Sequence, residues 1–339
     1  MTGTPDKRER LTVVVAAFNE AEALPLLHTR LLPVLASMAD VDARILYVDD
    51  GSRDATWAVM QRLAANDPCV GLLRLSRNFG KEAALTAGLD MVDEGAAMIL
   101  DADAQDPPEL IPQFVAKWRS GFDNVYGRRS ARAGEGIAKR ATASMFYRVI
   151  GRLSRTPVPE DTGDFRLLSP RALKALGELR ERHRFMKGLF GWVGFNGAEI
   201  VYEREARVAG RTKFNFWKLW NLALEGITSF STAPLRISTY LGLFTALVAL
   251  AYGIYVIVKA WMYGDPVAGW PSMMAVILFL GGVQLIALGM IGEYLGRLYV
   301  EAKQRPLYVV ADWRPGRGQG YAGAVSETGS GHASGAAST

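Results

Sequence analysis

Short apolar runs and stretches with helical spacing alternate along the first hundred residues. Apolar, β-branched runs without a helical period are typical of buried strands, whereas apolar residues three and four apart are typical of helices. The predicted strands are 11–17, 45–48, 71–75 and 96–100, and the predicted helices are 21–36, 55–65 and 82–92. This alternation predicts an α/β fold with a mostly parallel sheet that is covered by helices on both faces.

Polar side chains follow each of these four strands at its carboxyl end. The carboxyl ends of parallel strands line the crevice in which ligands bind. Acids after a single strand are commonly explained by capping of the following helix. Four strands that each deliver polar groups to the same rim favour a ligand-binding site. These residues are Asn19 and Glu20, Asp49 and Asp50, Arg77 and Asn78, and Asp101 and Asp103. The acids suit a ribose and a metal, and Arg77 and Lys81 suit phosphate, so a sugar nucleotide is the favoured ligand.

The strand at 96–100 breaks abruptly into acids. If the extended conformation persists, Asp101 and Asp103 point to the same side. With Gln105 as a third oxygen donor, they suit Mg²⁺ or Mn²⁺ that bridges a diphosphate, although a solvated turn is the alternative. Asp40 and Asp42 repeat the Asp-x-Asp pattern away from such a strand end, so position rather than pattern carries this assignment.

A basic stretch follows the apolar residues near 125. Residues 128–155 hold eight Lys or Arg and one acid, and apolar positions recur at helical spacing across 137–153. Such a helix suits a membrane surface with anionic headgroups, and a helix with one core face and one solvated face fits equally well. Nucleic acid is not expected as a partner, because no recognition motif accompanies the basic strip.

Two polar loops are predicted farther along. Residues 161–167 place two acids around a glycine, with Arg166 close enough to pair with either, so an ion pair and a functional role are both open. Residues 210–214 have a phosphate-binding character, and the aromatic and cationic residues of 216–224 suit a headgroup layer.

Two uncharged stretches, 237–258 and 266–292, predict membrane-spanning helices. At 1.5 Å per residue, a helix of 22 residues reaches about 33 Å, enough for a hydrocarbon layer of about 30 Å. Most nearby basic residues lie outside this hairpin, so both chain ends and the large domain are expected in the cytoplasm.

Composition agrees with a globular part followed by a membrane hairpin. Mean hydropathy is +0.08 although 22% of the residues are charged. The single cysteine excludes an internal disulfide and fits a reducing compartment. The polar start argues against a secretory signal, and the absence of Gly-x-Gly-x-x-Gly and Gly-Lys-Ser/Thr motifs argues against dinucleotide and P-loop enzymes.

Six motifs then identify a family. They are Phe18-Asn19-Glu20, Asp49-Asp50-Gly51-Ser52, Arg77-Asn78-Phe79-Gly80-Lys81-Glu82, Asp101-Ala102-Asp103-Ala104-Gln105-Asp106-Pro107-Pro108, Gly163-Asp164-Phe165-Arg166 and Arg305-Pro306-Leu307-Tyr308. In this order they resemble the polyprenyl-phosphate glycosyltransferases of glycosyltransferase family 2, which include dolichol-phosphate mannose synthases and bactoprenol glucosyltransferases. The resemblance covers about residues 10–310.

The resemblance implies a GT-A fold and an inverting, metal-dependent hexosyltransferase. The expected donor is UDP-glucose or another UDP-hexose, the acceptor is polyprenyl (undecaprenyl) phosphate, and the metal is Mg²⁺ or Mn²⁺ held by Asp101, Asp103 and Gln105. The implied catalytic residues are Asp103 and Asp164. The residues implied to bind the nucleotide sugar are Ala17, Asn19, Glu20, Asp49, Asp50, Arg77, Lys81, Asp101, Arg207 and Lys213.

The resemblance also implies a lipid-phosphate site formed by Arg129, Arg140 and Ser144. Arg207, Arg211 and Lys213 resemble the mobile loop that covers the donor phosphates. Here that loop reads Gly210-Arg211-Thr212-Lys213, where an acid or small residue and then serine are usual, and this departure weakens only the role of Arg211.

The expected organisation places the protein in a bacterial inner membrane as a multi-pass protein with a cytoplasmic catalytic domain. Relatives suggest a homotetramer. The expected parts are a flexible N-terminus (1–10), the GT-A domain (11–210), a juxtamembrane loop with amphipathic helices (211–236), two transmembrane helices within 237–292 (about 237–258 and 271–292), a cytoplasmic segment (293–312) and a disordered tail (313–339).

Other functions stay open. A GDP-mannose or aminoarabinose-type donor with the same acceptor is an alternative, because no residue separates these sugars. A catalytically silent nucleotide-binding membrane scaffold is another, although the complete set of acids argues against it. A processive polysaccharide synthase would carry a Gln-x-x-Arg-Trp segment and more spanning helices, and this sequence has neither. A channel is weaker still, because neither span holds an ionisable residue to line a pore.

Overall fold

The structure is a computed structural model that describes residues 8–130, 162–182, 184–203, 233–263 and 269–317. Its strands are β1 (Glu9–Ala17), β2 (Val41–Asp49), β3 (Val70–Leu75), β4 (Ala96–Asp101), β5 (Asn124–Arg129), β6 (Thr162–Leu168), β7 (Gly197–Tyr202) and β8 (Val310–Arg314). Its helices are α1 (Ala23–Ser37), α2 (Thr56–Asn66), α3 (Lys81–Asp90), α4 (Ile111–Arg119), α5 (Pro170–Glu178), α6 (Met186–Trp192), α7 (Ala233–Tyr263) and α8 (Trp270–Ala302), with a 3₁₀ turn at Pro108–Leu110.

The strands described form one sheet in the order β7-β5-β6-β4-β1-β2-β3-β8. β1 pairs in parallel with β2 and β4, β2 with β3, and β5 with β7. β6 runs antiparallel to both β4 and β5, and β8 runs antiparallel to β3. Four of the seven pairings in this part of the chain are parallel, which agrees with the predicted mostly parallel sheet.

The side chains of β1 alternate between two apolar cores on opposite faces of the sheet. Val13 and Val15 pack with α1, α2 and α4, whereas Val14 packs with α3, α5 and α6. Because both faces are covered, the central strands are continuously apolar, and this is why their pattern is visible in the sequence. Gly88 lets α3 lie directly on the sheet, since a Cβ there would lie 2.4 Å from Val14 Cγ1 and 2.9 Å from Val48 Cγ2.

The prediction of a loop at 161–167 is wrong, because residues 162–168 form the fully buried strand β6. This strand lies between β4 and β5, so both of its faces are covered. Phe165 and Leu167 supply the core positions. The apolar pattern is not visible in the sequence because Gly163, Asp164 and Arg166 interrupt it. Arg166 donates a hydrogen bond to the Gly163 carbonyl (3.1 Å), and the described contacts include no ion pair between Arg166 and Asp164.

Two predicted boundaries also differ from the structure. β1 begins at Glu9, inside the expected flexible N-terminus, and Arg10 is fixed there by an ion pair with Glu94 (2.9 Å). At the other end, Trp313 and Arg314 belong to β8, so the tail expected from residue 313 begins too early. The reason is packing, since Trp313 contacts the core on the α3 side of the sheet.

Helices α7 and α8 pack against each other, and α7 extends beyond its predicted span at both ends, whereas α8 extends beyond its span only at its C-terminal end. Both are long and apolar enough to cross a membrane, with candidate segments Ser238–Tyr255 and Phe279–Ala302. Large apolar side chains are exposed along them, such as Phe244 (66%) and Leu285 (71%). Such continuous apolar exposure suits contact with lipid rather than water.

The chain that leaves α8 returns to the sheet and ties the hairpin to it. The Arg182 amide donates to Glu301 Oε2 near the end of α8 (2.9 Å), and the Tyr308 hydroxyl donates to Asp90 Oδ2 (2.7 Å). The Ser76 amide then donates to the Val309 carbonyl (2.9 Å) at the end of β3. The apolar hairpin is therefore attached next to the carboxyl ends of the central strands.

Candidate active site

A cavity of about 270 Å³ opens at the carboxyl ends of the central parallel strands. This is the position at which open α/β sheets bind ligands. Its lining consists of Ala16, Ala17, Phe18, Glu20, Asp50, Asn78, Gly80, Lys81, Ala84, Asp101, Ala102 and Asp103. Several side chains predicted to bind a nucleotide sugar therefore share one cavity.

Asp50 shapes the loop that follows β3. Its Oδ1 accepts a hydrogen bond from the Phe79 amide (2.8 Å), and its Oδ2 accepts from the Gly80 amide (2.9 Å) and Asn78 Nδ2 (3.0 Å). Burial raises the pKa of Asp50 more than these hydrogen bonds lower it. Gly51 has a φ of +66°, and a Cβ there would lie 2.4 Å from the backbone of Arg77, so this approach of the two loops requires glycine.

Asn19 and Asp49 connect loops instead of lining the cavity. Asn19 Oδ1 accepts from the Arg53 amide (3.0 Å), and the Asn19 amide donates to Ser52 Oγ (3.0 Å). Asp49 is 0% exposed, accepts from the Ser52 amide (2.9 Å) and lies 3.2 Å from Arg74 Nε. The contact predicted between Asp49 and a ligand does not fit this buried position, and the carboxylate stabilises the loop between β2 and α2.

The two acids after β4 reach the same cavity by a different route from the one predicted. β4 ends at Asp101, and Asp103 lies in a turn in which Ala104 has a φ of +55°. The extended conformation therefore does not persist, yet both carboxylates line the cavity. Asp103 Oδ1 accepts a hydrogen bond from the Gln105 amide (3.2 Å), and Gln105 is itself buried outside the lining.

Lys81 joins the acid pair to β6. Its Nζ lies 2.7 Å from Asp101 Oδ1 and 2.6 Å from Asp164 Oδ2. Burial alone would lower the pKa of Lys81, but the two carboxylates outweigh it and raise that pKa. Burial would raise the pKa of Asp164, but the neighbouring Lys81 ammonium holds it below its usual value. Lys81 and Asp164 are therefore charged at neutral pH, and the Lys81 side chain remains 46% exposed.

The acid pair fits a hard divalent cation in an open site. No group of three or more His, Cys, Asp or Glu side chains in the described ranges could hold a metal. Mg²⁺ commonly binds through one or two carboxylates together with substrate phosphates and water. Asp101 and Asp103 supply that number of carboxylates, and the ammonium of Lys81 against Asp101 shows that positive charge is stabilised here.

A second polar group lies at the ends of β5 and β7. The Tyr202 hydroxyl donates to Asp106 Oδ1 (2.6 Å) and accepts a hydrogen bond from Arg129. A Cβ at Gly163 would lie 2.9 Å from Arg129 Nη2, so the guanidinium packs against the backbone just before Asp164. Sequence analysis missed Tyr202, because nothing local marks a tyrosine at the end of an amphipathic strand as a partner of residues 73 or more positions away.

The remaining predicted site residues lie at the edge of the cavity or outside the described ranges. Arg77 Nη1 donates to the Asn78 carbonyl (2.9 Å), and its guanidinium stacks 4.0 Å from the centroid of the Phe79 ring, outside the cavity lining. The residues that lie outside the described ranges are Arg140, Ser144, Arg207, Arg211 and Lys213. Their predicted contacts stay predictions, as does the basic helix at 137–153.

Known proteins share this architecture along most of the chain. Residues 12–177 match the glycosyl transferase family 2 domain, and residues 233–298 match the GtrB C-terminal hairpin. An uncharacterized glycosyltransferase of Synechocystis is 49% identical over 89% of this chain and 95% of its own length. The bactoprenol glucosyl transferase of Shigella phage SfV is 46% identical over 89% of this chain and 98% of its own length.

A prophage bactoprenol glucosyl transferase homolog of Escherichia coli K12 is likewise 46% identical over 89% of this chain and 98% of its own length. These matches confirm the predicted family, the GT-A class of the sheet domain and the enzyme class. The chain belongs to glycosyltransferase family 2, with a GT-A catalytic domain followed by an apolar C-terminal hairpin.

Proposed function

We propose that the protein transfers a hexose, glucose in the first place, from a UDP-sugar to undecaprenyl phosphate at the cytoplasmic face of a bacterial inner membrane. One observation carries the proposal: Lys81 joins Asp101, in the cavity at the strand ends, to Asp164 on β6. One rim can therefore hold a donor and an acceptor side by side. The similarity to bactoprenol glucosyl transferases over almost their whole length supports the choice of acceptor and sugar.

The donor lies in the cavity formed by β1–β4. Glu20 and Asp50 supply acceptors for the hydroxyl groups of the nucleoside, and Asp101 and Asp103 lie where the diphosphate is held. These two acids, with Gln105 nearby, would hold Mg²⁺ or Mn²⁺, which would supply Lewis-acid stabilisation of the leaving diphosphate worth several kcal/mol. Lys81 adds a further positive charge next to the same phosphates.

The acceptor brings its own nucleophile. The second pKa of a phosphate monoester is about 6, so this oxygen is mostly ionised at neutral pH. It attacks the anomeric carbon from the face opposite the diphosphate, a new C–O bond forms, and the bond to the nucleoside diphosphate breaks with its electron pair going to the leaving oxygen. No proton has to be removed, so Asp164, kept ionised by Lys81, positions the sugar and acceptor.

The apolar hairpin places this chemistry beside the bilayer. α7 and α8 span the inner membrane, and the attachment through β8 holds the open cavity near the headgroups. A lipid phosphate then reaches Asp164 while its polyprenyl chain stays in the membrane.

The proposal is tested with full-length protein purified in detergent and incubated with undecaprenyl phosphate, Mn²⁺ and a panel of UDP- and GDP-sugars. The expected result is a lipid-linked hexose formed from UDP-glucose and absent without the acceptor. Transfer from GDP-mannose alone would reassign the donor, and donor binding without transfer from any sugar would identify a silent scaffold and overturn the proposal.

A further inference from the structure

Tyr202, the last residue of β7, reaches across the sheet to the turn that carries the predicted metal ligands. Its hydroxyl donates to Asp106 Oδ1 at 2.6 Å. In the sheet order β7-β5-β6-β4, two strands lie between β7 and β4, the strand from which this turn continues. Asp106 is 0% exposed, so this hydrogen bond lies inside the protein and is protected from water.

The ring of Tyr202 is held by packing as well as by this hydrogen bond. The side chain is buried, and its ring packs edge-on against Phe165 with 5.4 Å between the ring centroids. A Cβ at Gly127 would lie 2.7 Å from Tyr202 Cε1, so glycine leaves the space that the ring occupies. A packed ring therefore presents the hydroxyl to Asp106, and a phenylalanine at this position would keep the ring in place.

The turn that receives this hydrogen bond has an unfavourable backbone conformation. Ala104 has a φ of +55°, which L-residues other than Asn and Asp rarely adopt. Asp103 precedes Ala104 and Gln105 follows it, so the conformation of Ala104 sets the directions of both predicted ligands. Such a conformation persists only where the surrounding structure holds it.

Three hydrogen bonds described around this turn differ in length and origin. The Gln105 amide donates to Asp103 Oδ1 (3.2 Å) within the turn, and Arg30 Nη1 on α1 donates to the Ala104 carbonyl at 3.5 Å. The hydrogen bond from Tyr202 is the shortest of the three and joins residues 96 positions apart. Loss of this hydroxyl should therefore loosen the turn directly after Gln105.

We propose that Tyr202 is a positioning residue for the divalent cation, because its hydrogen bond to Asp106 holds the turn after β4 in the conformation that Asp103 and Gln105 need to bind the metal together with Asp101. Tyr202 lies outside the cavity lining and acts only through the turn. A metal site that is formed in advance binds its ion more tightly, because the ligands need not be ordered on binding. This role rests on the proposed function and adds to it a residue from the far edge of the sheet.

The test compares Tyr202→Phe with Tyr308→Phe in the full-length protein. Tyr308 is the matched control, because its hydroxyl donates to Asp90 Oδ2 at 2.7 Å, away from both the turn and the cavity. Each variant loses one hydrogen bond from a tyrosine to an aspartate and keeps the ring. Denaturant unfolding measures any general loss of stability in each, and only Tyr202→Phe should change the metal site.

Metal binding is measured by calorimetric titration of UDP at a series of Mn²⁺ concentrations and in EDTA. The Mn²⁺ concentration that gives half of the full gain in UDP affinity should rise by about fivefold or more in Tyr202→Phe, the scale of one hydrogen bond. In Tyr308→Phe it should stay within about twofold of wild type. The affinity for UDP in EDTA should stay within about twofold in both variants.

Asp106→Ala removes the acceptor of the same hydrogen bond, and it keeps the test open where Tyr202→Phe does not fold. It should raise the Mn²⁺ requirement at least as much as Tyr202→Phe, and the double variant should need no more Mn²⁺ than Asp106→Ala alone.

An unchanged Mn²⁺ requirement in Tyr202→Phe or in Asp106→Ala, an equal rise in Tyr308→Phe, or a further fivefold rise in the double variant would overturn the role of Tyr202. A wild type whose UDP affinity does not respond to Mn²⁺ would overturn it as well. A protein that shows the expected Mn²⁺ dependence but transfers no sugar would refute only the proposed function.

Discussion

The two halves of the rim differ in how their polar groups are satisfied. In the half formed by β1–β3, both oxygens of Asp50 accept hydrogen bonds from the next loop, and Asn19 bridges to the loop after β2. In the half formed by β5–β7, buried polar atoms have no hydrogen-bond partner in the described part of the chain. These atoms are Arg129 Nε, Asp164 Oδ1 and Arg166 Nε. In the β1–β3 half, Asp49 Oδ2 is also buried without a hydrogen bond, but it lies 3.2 Å from Arg74 Nε in an ion pair.

The difference between the two halves is therefore one of degree, since Asp49 Oδ2 in the β1–β3 half has an ion-pair partner. A buried polar atom without a partner costs about 1–3 kcal/mol, so several of them in one place need an explanation. A ligand that completes them is the simplest one. The β1–β3 half is therefore suited to a donor that binds a preformed cavity. In the β5–β7 half, Arg129 Nε can donate to an anionic group of the proposed acceptor, and Asp164 Oδ1 can accept from a hydroxyl group.

The largest effect is expected from Asp103→Asn, which removes a charge from the point at which the two halves meet. Transfer should fall by about a thousandfold or more, because the stabilisation of the leaving diphosphate is worth several kcal/mol. Initial rates of lipid product measure this. Asp40→Asn is the control, since Asp40 belongs to the other Asp-x-Asp pair, is exposed and pairs only with Arg119 (2.7 Å) among the ion pairs described. A variant at Asp103 that keeps a tenth of the activity would remove this residue from the mechanism.

Gly51→Ala should have the next largest effect, and it tests the rigidity of the loops in the half formed by β1–β3. The new Cβ would meet the backbone of Arg77 at 2.4 Å, in addition to the strain of a φ of +66°. Gly121 has a φ of +97° with nothing within 4 Å, so Gly121→Ala carries the conformational strain alone. By denaturant unfolding we expect a loss of about 3 kcal/mol for Gly51→Ala and about 1–2 kcal/mol for Gly121→Ala. Equal losses would show that the loops adjust freely.

Asp50→Asn should act on the donor half alone. The amide cannot accept all three hydrogen bonds that the carboxylate accepts, so the loop at 78–80 loosens. We expect the KM for the nucleotide sugar to rise by about tenfold, on the scale of one or two lost hydrogen bonds, with the KM for the lipid unchanged. A parallel rise in both constants would mean that the two halves are not separate.

The smallest effect concerns Glu82, which lies behind the acceptor half. Burial, assisted by the charge of Asp164, raises the pKa of Glu82 from 4.5 to about 7. The folded protein therefore holds a proton that the unfolded chain releases, and stability falls as the pH rises from about 4.5 to 7. Glu82→Gln should remove about 1 kcal/mol of this fall in the free energy of unfolding, measured by denaturant unfolding across this pH range, after allowance for solvent screening. A slope identical to wild type would place the proton elsewhere.

The donor half could be predicted from the sequence because its signals are local. Each central strand is a continuous apolar run followed at once by its polar residues, so Asp50 and Asp101 are recognisable without knowledge of the fold. The half formed by β5–β7 could not be predicted in this way, because it depends on the insertion of β6 between β4 and β5. The contact of Lys81 with Asp164 joins residues 83 positions apart, and nothing near Lys81 in the sequence indicates Asp164. The sequence also could not predict the direction of the Asp103 side chain, because that direction depends on the positive φ of Ala104 in the turn.

The most direct test of the donor site is calorimetric titration of UDP into wild type, Asp103→Asn and the control Asp40→Asn, each with Mn²⁺ and with EDTA. We predict that Mn²⁺ tightens UDP binding by at least about tenfold in wild type and Asp40→Asn, and that Asp103→Asn loses this difference. Equal UDP affinity with Mn²⁺ and with EDTA in the wild type would contradict the account.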